Sequence, residues 1–579
     1  MGKLALSPGR FPPALLGAAL CCALASASSV VAQSGTAAGT PRPPEEIGVS
    51  AGGSGVLIES DGSLSRYSLR ARADGADVQI RRSTDFGRTW TQPATLAGIK
   101  TPYGASLHTL RSRSGTLHGF FARLRGEGRN PAVDRFIDLW HLRSQDNGKT
   151  WTEPTRIFEG YCGSFQQVVE LRSGTLVLPF ARWIPNRPSA PPTGSNVTTV
   201  VSSRDGGATW SVSPAELTAP CAAGFNGNNY GAIEPVILEL KDGRVWMLIR
   251  TQAGKLYEAF SRDGISWSSA QPSRFVSSTS PAFLLRLKDG RLAVFWNNCE
   301  MPERVDGQGV YGGRDALHAA ISSDEGKTFV GYREVYRDPY RSIDPPRSGD
   351  RGTAYPWAAV GADGTILLIS GQGERRRRML RVDPAWITAG TAASSFDNGL
   401  EDWCVYKPYG PARGFWRARH AGPALQPDPG GSGKSVLVLS RPAGQDADAA
   451  VWNFPGGSTG VLRLRLKVPA GSEGVAISLA DHFLDPTDTR WADRSRYQLR
   501  LGGSGGVALP ADGAWHEVKL SWKSGEREAR VSVDGSEIRR LEPSGNGSEA
   551  LSYLHLRSLA ANSGSAGAQI AAVSVDVKR

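Results

Sequence analysis

A short polar turn recurs five times along the chain, and this repetition restricts the possible folds more than any other feature. Each copy follows the pattern Ser-x-Asp-x-Gly-x-Thr-Trp, with a shortened fourth copy and a final Phe in the fifth. The copies occupy residues 83–90, 144–151, 203–210, 261–267 and 322–329. The Asp can accept backbone N–H groups, the Gly can adopt positive φ, and the aromatic ring can pack under the neighbouring sheet. We therefore expect these turns to stabilise the fold and not to carry out chemistry.

Hairpin turns form a second regular series between residues 47 and 387. An apolar strand precedes each of them, and they lie at Asp61-Gly62, Ser114-Gly115, Ser173-Gly174, Asp242-Gly243, Asp289-Gly290 and Asp363-Gly364. Residues 230–267 show the full unit, with three short strands separated by turn residues. Six such units, none able to bury both faces alone, can close into a ring around an axis. The sequence predicts an all-β protein with a six-bladed β-propeller over residues 47–390.

The pattern changes after residue 394. Residues 395–579 lack the polar turns and contain short alternating strands, for example at 435–439, 461–468, 516–522 and 571–577. The phrases at 515–518 and 531–535 resemble laminin-G or concanavalin-like domains. We expect a jelly-roll β-sandwich here, with either glycan binding or simple structural packing as its role.

The N-terminus predicts export. Residues 1–32 combine Lys3 and Arg10 with an apolar run at 14–25 and small residues at the end, which is typical of a secretory signal peptide. Residues 33–46 are rich in Gly, Pro, Ser and Thr and are predicted to be a linker. No later segment has 18 uncharged apolar residues, so stable membrane insertion is not expected. The predicted location is secreted or periplasmic.

Charge and cysteine content limit the partners and cofactors. The net charge of +12 suits acidic partners. The basic run Arg375–Arg378 is expected to be a solvated loop, with binding of a sulfated or uronic polymer as the alternative. It lacks interleaved aromatics, so nucleic acid is not expected. Beyond the signal, four scattered cysteines are too few for a disulfide scaffold, although a Cys162–Cys221 bridge is considered. No metal-ligand spacing is present, so no metal or cofactor is predicted.

Two chemically active side chains fall at one structural position when the repeats are aligned. Nine positions before the hairpin glycine lie Glu234 in the fourth unit and Tyr355 in the sixth. A Glu before an apolar strand is seldom core material, because burying an unpaired carboxylate is costly. Glu234 is therefore expected either at the mouth of the propeller as a functional group or in a structural ion pair.

The polar turns resemble the Asp-boxes, or BNR repeats, of the sialidase (neuraminidase) superfamily. The resemblance covers the predicted propeller and implies a retaining exo-glycosidase that hydrolyses terminal sialic acid or a related acidic sugar from a glycan or glycoconjugate. It implies that Tyr355 is the nucleophile, that Glu234 is its general base, and that Arg250 and Arg314 bind the substrate carboxylate. An arginine fork suits a carboxylate, and a tyrosine nucleophile avoids repulsion from an anionic sugar.

The first repeat departs from the family pattern. The first arginine of the family's triad lies in an R-I-P motif, but residues 50–55 contain no arginine, and Arg66, Arg70 and Arg72 follow the turn. An Asp acid/base catalyst is implied in the same repeat, and Asp74 and Asp77 lie in the right loop without the flanking motif. Three functions therefore stay open: a sialidase, a glycosidase or lyase on the same scaffold acting on another acidic polysaccharide, or a glycan-binding propeller without catalysis.

Overall fold

The structure is a computed structural model, and it describes most of the chain from Thr40 to Lys578. The described ranges are 40–49, 55–127, 134–187, 193–220, 231–300, 313–342, 352–372, 377–413, 416–428, 430–486, 491–503, 506–507, 509, 513–523, 526, 528–544 and 550–578. Side chains at 185–187, 193, 407–413 and 416–420 are likewise not described. The predicted signal peptide falls outside these ranges and stays a prediction, which N-terminal sequencing of the mature protein tests.

The first part of the chain forms antiparallel meanders. Strand β1 is Glu45–Val49. The first meander contains β2 (Val56–Ile58), β3 (Leu64–Arg72), β4 (Gly75–Ser83) and β5 (Ala94–Ile99), and β6 (Ala105–Ser106) also pairs with β3. The second contains β7 (His108–Arg111), β8 (Leu117–Arg125), β9 (Phe136–Ser144) and β10 (Thr155–Phe158). The third contains β11 (Val169–Glu170), β12 (Leu176–Arg187), β13 (Thr193–Ser203) and β14 (Ser211–Val212).

The meanders continue to residue 382. The fourth contains β15 (Ile233–Glu239), β16 (Val245–Arg250), β17 (Lys255–Ser261) and β18 (Gln271–Val276). The fifth contains β19 (Phe283–Arg286), β20 (Leu292–Trp296), β21 (Ala316–Ser322) and β22 (Val330–Arg337). The last contains β23 (Trp357–Val360), β24 (Ile366–Ser370) and β25 (Arg378–Val382), with β1 as its fourth strand. The N-terminal strand thus completes the last sheet, and the predicted linker at 33–46 overlaps its first two residues.

Apolar clusters pack each meander against the next. Their members come from consecutive sheets: Leu69 and Phe121 lie in one cluster, Met247 and Val200 in another, and Val56 and Leu367 in a third that joins the last sheet to the first. A central cavity of about 390 Å³ is lined by the leading residues of the meanders, among them Gly55, His108, Val169, Ile237, Leu284 and Trp357. The predicted all-β propeller arrangement is confirmed.

The prediction of six blades is wrong for the described residues, which show five. Five meanders stand as sheets of their own, but β19–β22 forms one end of a nine-stranded sheet. The junction is Gly331 of β22, which pairs with Gly456 of β32 (Ala449–Gly457). The strands approach closely here, because a Cβ at Gly456 would lie 2.8 Å from the Tyr332 Cβ. The outer edge of the fifth meander is therefore open to a second sheet.

The C-terminal part forms two further sheets and one small hairpin. Its elements, with the preceding helix, are α1 (Pro384–Ile387), β26 (Thr391–Ser394), β27 (Trp403–Cys404), β28 (Lys407–Arg413), β29 (Trp416–His420), β30 (Leu425–Pro427), β31 (Ser435–Leu439), β32, β33 (Thr459–Lys467), β34 (Val475–Ala480), α2 (Trp491–Arg494), β35 (Tyr497–Leu501), β36 (His516–Trp522), β37 (Ala529–Val533), β38 (Ser536–Leu541), β39 (Leu551–Ser558) and β40 (Ala568–Lys578). The order β22-β32-β39-β34-β35 continues the fifth meander, and β30-β31-β40-β33-β36-β37-β38 forms an eight-stranded sheet with β26. Strand β26 joins this sheet before the predicted domain start at residue 395.

The two C-terminal sheets share one apolar core. It takes Trp452 and Ile477 from one sheet and Leu464 and Val575 from the other. The described residues from 41 onwards belong to one compact unit. Within the described ranges, no helix has the length and apolar character needed to cross a membrane.

Candidate functional site

Glu234 and Tyr355 meet at the leading ends of two meanders. Glu234 is the second residue of β15, and Tyr355 lies two residues before β23. The Tyr355 hydroxyl donates a hydrogen bond to Glu234 Oε1 at 3.0 Å. Both residues have positive φ, 49° for Glu234 and 62° for Tyr355, and both precede a proline. The counting of positions from the hairpin glycine therefore found two residues that the fold brings into contact.

Arg250 joins the pair from the second strand of the same meander as Glu234. It ends β16 opposite Ile233, is 1% exposed, and donates Nη1 to Glu234 Oε2 at 2.5 Å and to the Tyr355 hydroxyl at 3.1 Å. The β15–β16 register shifts between Ile233 and Val236, and this irregularity is where Glu234 lies. Burial alone would lower the pKa of Arg250, but Glu234 and Tyr355 outweigh it and raise that pKa. Arg250 stays a cation within this site.

Arg314 approaches Tyr355 from the other side. It is 3% exposed, and its guanidinium carbon lies 5.6 Å from the centroid of the Tyr355 ring. Nη2 donates to the Thr279 carbonyl oxygen at 2.7 Å, and Nη1 donates to Gln372 Oε1. The Arg314 carbonyl oxygen accepts the Thr353 N–H at 2.9 Å, two residues before Tyr355. Four predicted site residues thus lie together, of which Glu234, Arg250 and Arg314 are buried and Tyr355 is half-buried.

The tyrosine is held neutral by its surroundings. Burial raises the pKa of Tyr355, Glu234 raises it further, and Arg250 and Arg314 oppose the shift. A phenol that stays protonated is a weak nucleophile until a base removes its proton. Glu234, within hydrogen-bond reach of that proton, meets the geometric requirement for such a base.

The two predicted acid/base aspartates lie apart from this constellation. Asp77 and Asp74 belong to the β3–β4 hairpin of the first meander, where Arg72 Nε lies 3.1 Å from Asp77 and Arg72 Nη1 lies 3.8 Å from Asp74. The Asp74 side chain is 80% exposed and that of Asp77 is 21% exposed. Among the described contacts, neither carboxylate touches Glu234 or Tyr355. Their assignment as acid/base catalysts stays a prediction.

Sequence reasoning missed three residues of the site. Thr279 links the two arginines, since its Oγ1 accepts Arg250 Nε at 3.1 Å and its carbonyl oxygen accepts Arg314. Gln372 receives Arg314, and Arg377 Nη2 donates to the Tyr355 carbonyl oxygen at 3.4 Å. The run Ser277-Ser278-Thr279-Ser280, buried throughout despite being polar, is the signal that points to Thr279. Arg377 belongs to the arginine run that the sequence favoured as a solvated loop.

Of the remaining candidates, the cysteine pair is only partly described. Cys162 is a buried thiol without a disulfide to any described cysteine, and Cys221 lies outside the described residues. No group of three or more His, Cys, Asp or Glu side chains in the described ranges could hold a metal ion.

Comparisons with known proteins place the chain in a family. Residues 65–368, more than half of the chain, match the BNR repeat-like domain. The solved structure of Trypanosoma rangeli sialidase resembles it at 13% identity and a TM-score of 0.36, covering 91% of each chain. A protein of unknown function from Dyadobacter fermentans resembles it at 17% identity and a TM-score of 0.40, covering 59% of this chain and 99% of that one.

A Hadza microbial sialidase resembles the chain at 17% identity and a TM-score of 0.39, covering 57% of this chain and 65% of that one. No curated protein matches the sequence. The match over residues 65–368 contains all five Asp-box turns, together with Glu234, Arg250, Arg314 and Tyr355. The chain belongs to the BNR repeat-like domain family.

Proposed function

We propose that the protein is a retaining exo-glycosidase of the sialidase type that releases a terminal acidic sugar from glycans. The observation that carries the proposal is the 3.0 Å hydrogen bond from the hydroxyl of the half-buried Tyr355 to Glu234, with Arg250 donating to both residues. A tyrosine with its own base and two flanking cations suits attack on the anomeric carbon of an anionic sugar. The arrangement favours covalent catalysis.

The proposed reaction has two steps. Tyr355 Oη attacks the anomeric carbon while its proton passes to Glu234, and the bond to the leaving oxygen breaks. Asp77 is the proposed acid that protonates this oxygen, since it is the less exposed of the two aspartates in the first meander. Water deprotonated by the same carboxylate then displaces Tyr355, which regains its proton from Glu234, so that configuration is retained.

The finer architecture belongs to the same proposal. We assign residues 47–390 to the propeller and residues 395–579 to a jelly-roll β-sandwich that follows it. Secretion or export to a periplasm, through removal of residues 1–32, completes the proposal.

A glycosidase or lyase acting on another acidic polysaccharide is the second candidate. It is favoured by the first repeat, where the family's R-I-P arginine is absent from residues 50–55. Arg250 and Arg314 beside Tyr355 still favour an acidic sugar, and its identity depends on how the first meander contacts it.

The test is a panel of aryl glycosides offered to the purified full-length protein. Wild type is expected to release the aryl group from the sialoside, and Tyr355→Phe and Glu234→Gln to lower kcat by at least about 10²-fold. Tyr332→Phe is the matched control, a buried tyrosine with φ of 50° in the fifth meander, and should keep full activity. Release from a different acidic glycoside only would select the second candidate, and binding without release would overturn both.

A further inference from the structure

Both arginines of the site make hydrogen bonds to protein groups. Arg250 gives Nη1 to Glu234 and Tyr355 and Nε to Thr279. Arg314 gives Nη1 to Gln372 and Nη2 to the Thr279 carbonyl oxygen. The Arg250 bonds to Glu234 and Tyr355 orient that pair. An anionic substituent on the sugar therefore needs further cations to offset the cost of leaving water.

Arg377 provides one such cation beside the proposed nucleophile. Its Nη2 lies 3.4 Å from the Tyr355 carbonyl oxygen. Its buried Nε has no hydrogen-bond partner among the described atoms, and no described carboxylate lies within ion-pair distance of it. A partly buried guanidinium without a counter-charge among the described residues is costly, and a bound anion would relieve that cost. The position points to a ligand group.

Arg66 provides a second cation from the first meander. It lies on β3 opposite Val56, the first residue of β2, just as Arg250 lies on β16 opposite Ile233, the first residue of β15. The two arginines thus occupy corresponding positions. Each lies on the second strand of its meander, opposite the first residue of the first strand. The meander that lacks the R-I-P arginine still presents a guanidinium at this end.

Arg66, Arg377 and His108 lie within electrostatic reach of one another. Burial lowers the pKa of Arg377 to about 10, with Arg66 adding to the effect. Burial likewise lowers the pKa of His108 to about 4, helped by Arg377 and Arg66. His108 also lines the central cavity, together with Gly55. The backbones pack closely here, because a Cβ added at Gly55 would lie 2.2 Å from the Leu107 carbonyl oxygen. Arg66 and Arg377 therefore place two positive charges near His108, which is neutral at pH 7 and lines that cavity.

We propose that Arg66 and Arg377 form an additional cationic arm of the site, which binds the anionic substituent of the sugar held at Tyr355. The chemistry recognised is a carboxylate or a sulfate ester on a glycan, because planar guanidinium groups can donate paired hydrogen bonds to either. This inference rests on the proposed function. The R-I-P arginine is missing from the first repeat, and this proposal gives its role, binding the anionic group of the sugar, to Arg66 in the first meander and Arg377 in the last.

The test compares charged and uncharged forms of one substrate. Wild type, Arg66→Met, Arg377→Ala and Arg377→Lys are assayed with an aryl sialoside and its methyl ester, and with an aryl galactoside and its 6-sulfate. Wild type should prefer one charged form over its neutral partner. The Arg66→Met and Arg377→Ala variants should lower that preference at least tenfold through KM, and Arg377→Lys should restore part of the preference. Which charged substrate shows the effect identifies carboxylate or sulfate.

Arg82→Ala is the matched control, an exposed arginine on β4 of the same sheet. An unchanged charge preference in both arginine variants would overturn the arm while leaving the glycosidase proposal intact. If no substrate is cleaved, calorimetric titration of wild type and variants with N-acetylneuraminic acid and galactose 6-sulfate tests the cationic arm through binding instead. Binding lost at least tenfold in Arg377→Ala and Arg66→Met would support the arm without hydrolysis, and no binding to wild type would overturn it. Should Arg377→Ala fail to fold, the same comparison is made with Arg377→Lys and Arg66→Met.

Discussion

Glu234 and Tyr355 hold a backbone conformation that residues with a Cβ rarely adopt. Their φ values of 49° and 62° lie in the left-handed region, which costs on the order of 1–3 kcal/mol per residue. Such strain persists only where the surroundings enforce it, and here Arg250 contacts both side chains. The two residues are held in place before any substrate arrives, and Arg250 is the group that holds them.

Arg250 should therefore affect stability and activity in separable ways. Arg250→Ala leaves the buried Glu234 without its cation and is expected to cost about 3–5 kcal/mol of unfolding free energy. Arg250→Lys keeps the charge but loses the fork that donates to Glu234, Tyr355 and Thr279 at once. We expect it to recover much of the stability while kcat stays lowered by about 10²-fold. Urea unfolding and aryl glycoside kinetics on both variants provide the measurement.

The control for Arg250 is Arg244→Ala, an arginine of the same meander that pairs with Asp242 at the hairpin turn. This substitution should change neither the free energy of unfolding nor kcat much, because exposed ion pairs contribute little to stability. Equal losses of activity and stability in Arg250→Lys and Arg250→Ala would contradict a role for the fork.

The contact between Glu234 and Tyr355 was predictable, whereas its surroundings were not. Counting from the hairpin glycine places both residues at one position because the first strand and its turn have similar lengths in these two repeats. Thr279, Gln372 and Arg377 have no such marker, since they enter the site through irregular segments or at the edge of a strand. For a related reason, the sequence could not decide which aspartate is the acid/base catalyst. The β3–β4 turn, which carries Asp74 and Asp77, lies outside the part of the repeat that the hairpin glycines align.

At the scale of the element, the Asp-box turns lock the ends of strands. In the second copy, Asp146 Oδ1 accepts the Thr150 N–H at 2.9 Å and the Ser144 hydroxyl at 2.8 Å, and Oδ2 accepts the Thr150 hydroxyl at 2.7 Å. The Gly148 N–H returns to Ser144 Oγ at 2.8 Å, with a φ of 86° at the glycine. The predicted structural role of these turns is confirmed by this pattern.

Removing the carboxylate from one turn should weaken the fold without altering the chemistry. The Thr150 hydrogen bonds lower the pKa of Asp146 to about 2 from its usual 3.8, so its contribution is present above pH 3.8 and is lost as the pH falls through about 2. Asp146→Ala is expected to lower the melting temperature at pH 7 by a few degrees and to leave kcat/KM within about twofold. Thermal unfolding at pH 7 and about pH 2.5 measures the effect, which should shrink at the lower pH.

Lys149→Ala in the same turn is the control, because Lys149 is exposed. Activity lost in Asp146→Ala at unchanged melting temperature would argue for a functional Asp-box.

The regularity of these turns made the propeller predictable from sequence. The merger of β22 with β32 was not predictable, since it depends on two glycines far apart in the chain that meet only in the folded molecule.

At the scale of the whole molecule, a buried polar network fastens the C-terminal sheets to the fifth meander. Glu334 of β22 accepts hydrogen bonds from Arg337 and Arg341 at 2.7 Å each and from the Tyr553 hydroxyl of β39 at 2.8 Å. The Tyr553 hydroxyl also contacts His318 Nε2 of β21. Asn453 of β32 bridges the same strands, accepting the Glu334 N–H at 2.9 Å. The C-terminal part is thus bound to the propeller through charge as well as strand pairing.

This network should make the folded molecule sensitive to acid. Burial alone would raise the pKa of Glu334, but Arg341 and Arg337 outweigh it and hold that pKa at about 2, below its usual 4.5. Burial lowers the pKa of His318 to about 4 from 6.5. Both pKa values are lower in the folded state than in the unfolded state. The contribution of each group to the free energy of unfolding is therefore present above its unfolded pKa. It is lost as the pH falls, through about 4 for His318 and about 2 for Glu334.

Glu334→Gln isolates the carboxylate's share of this acid sensitivity. At pH 7 the variant should be less stable by on the order of 3 kcal/mol, because Arg337 and Arg341 lose their buried counter-charge. The difference from wild type should narrow as the pH falls from 4.5 towards about 2, where the wild-type carboxylate itself becomes protonated. Urea unfolding followed at pH 7, 4 and 3 measures it, with Glu537→Gln, an exposed partner of Arg540, as control. A difference that stays constant with pH would place the stabilising charge elsewhere and leave Glu334 as a packing group only.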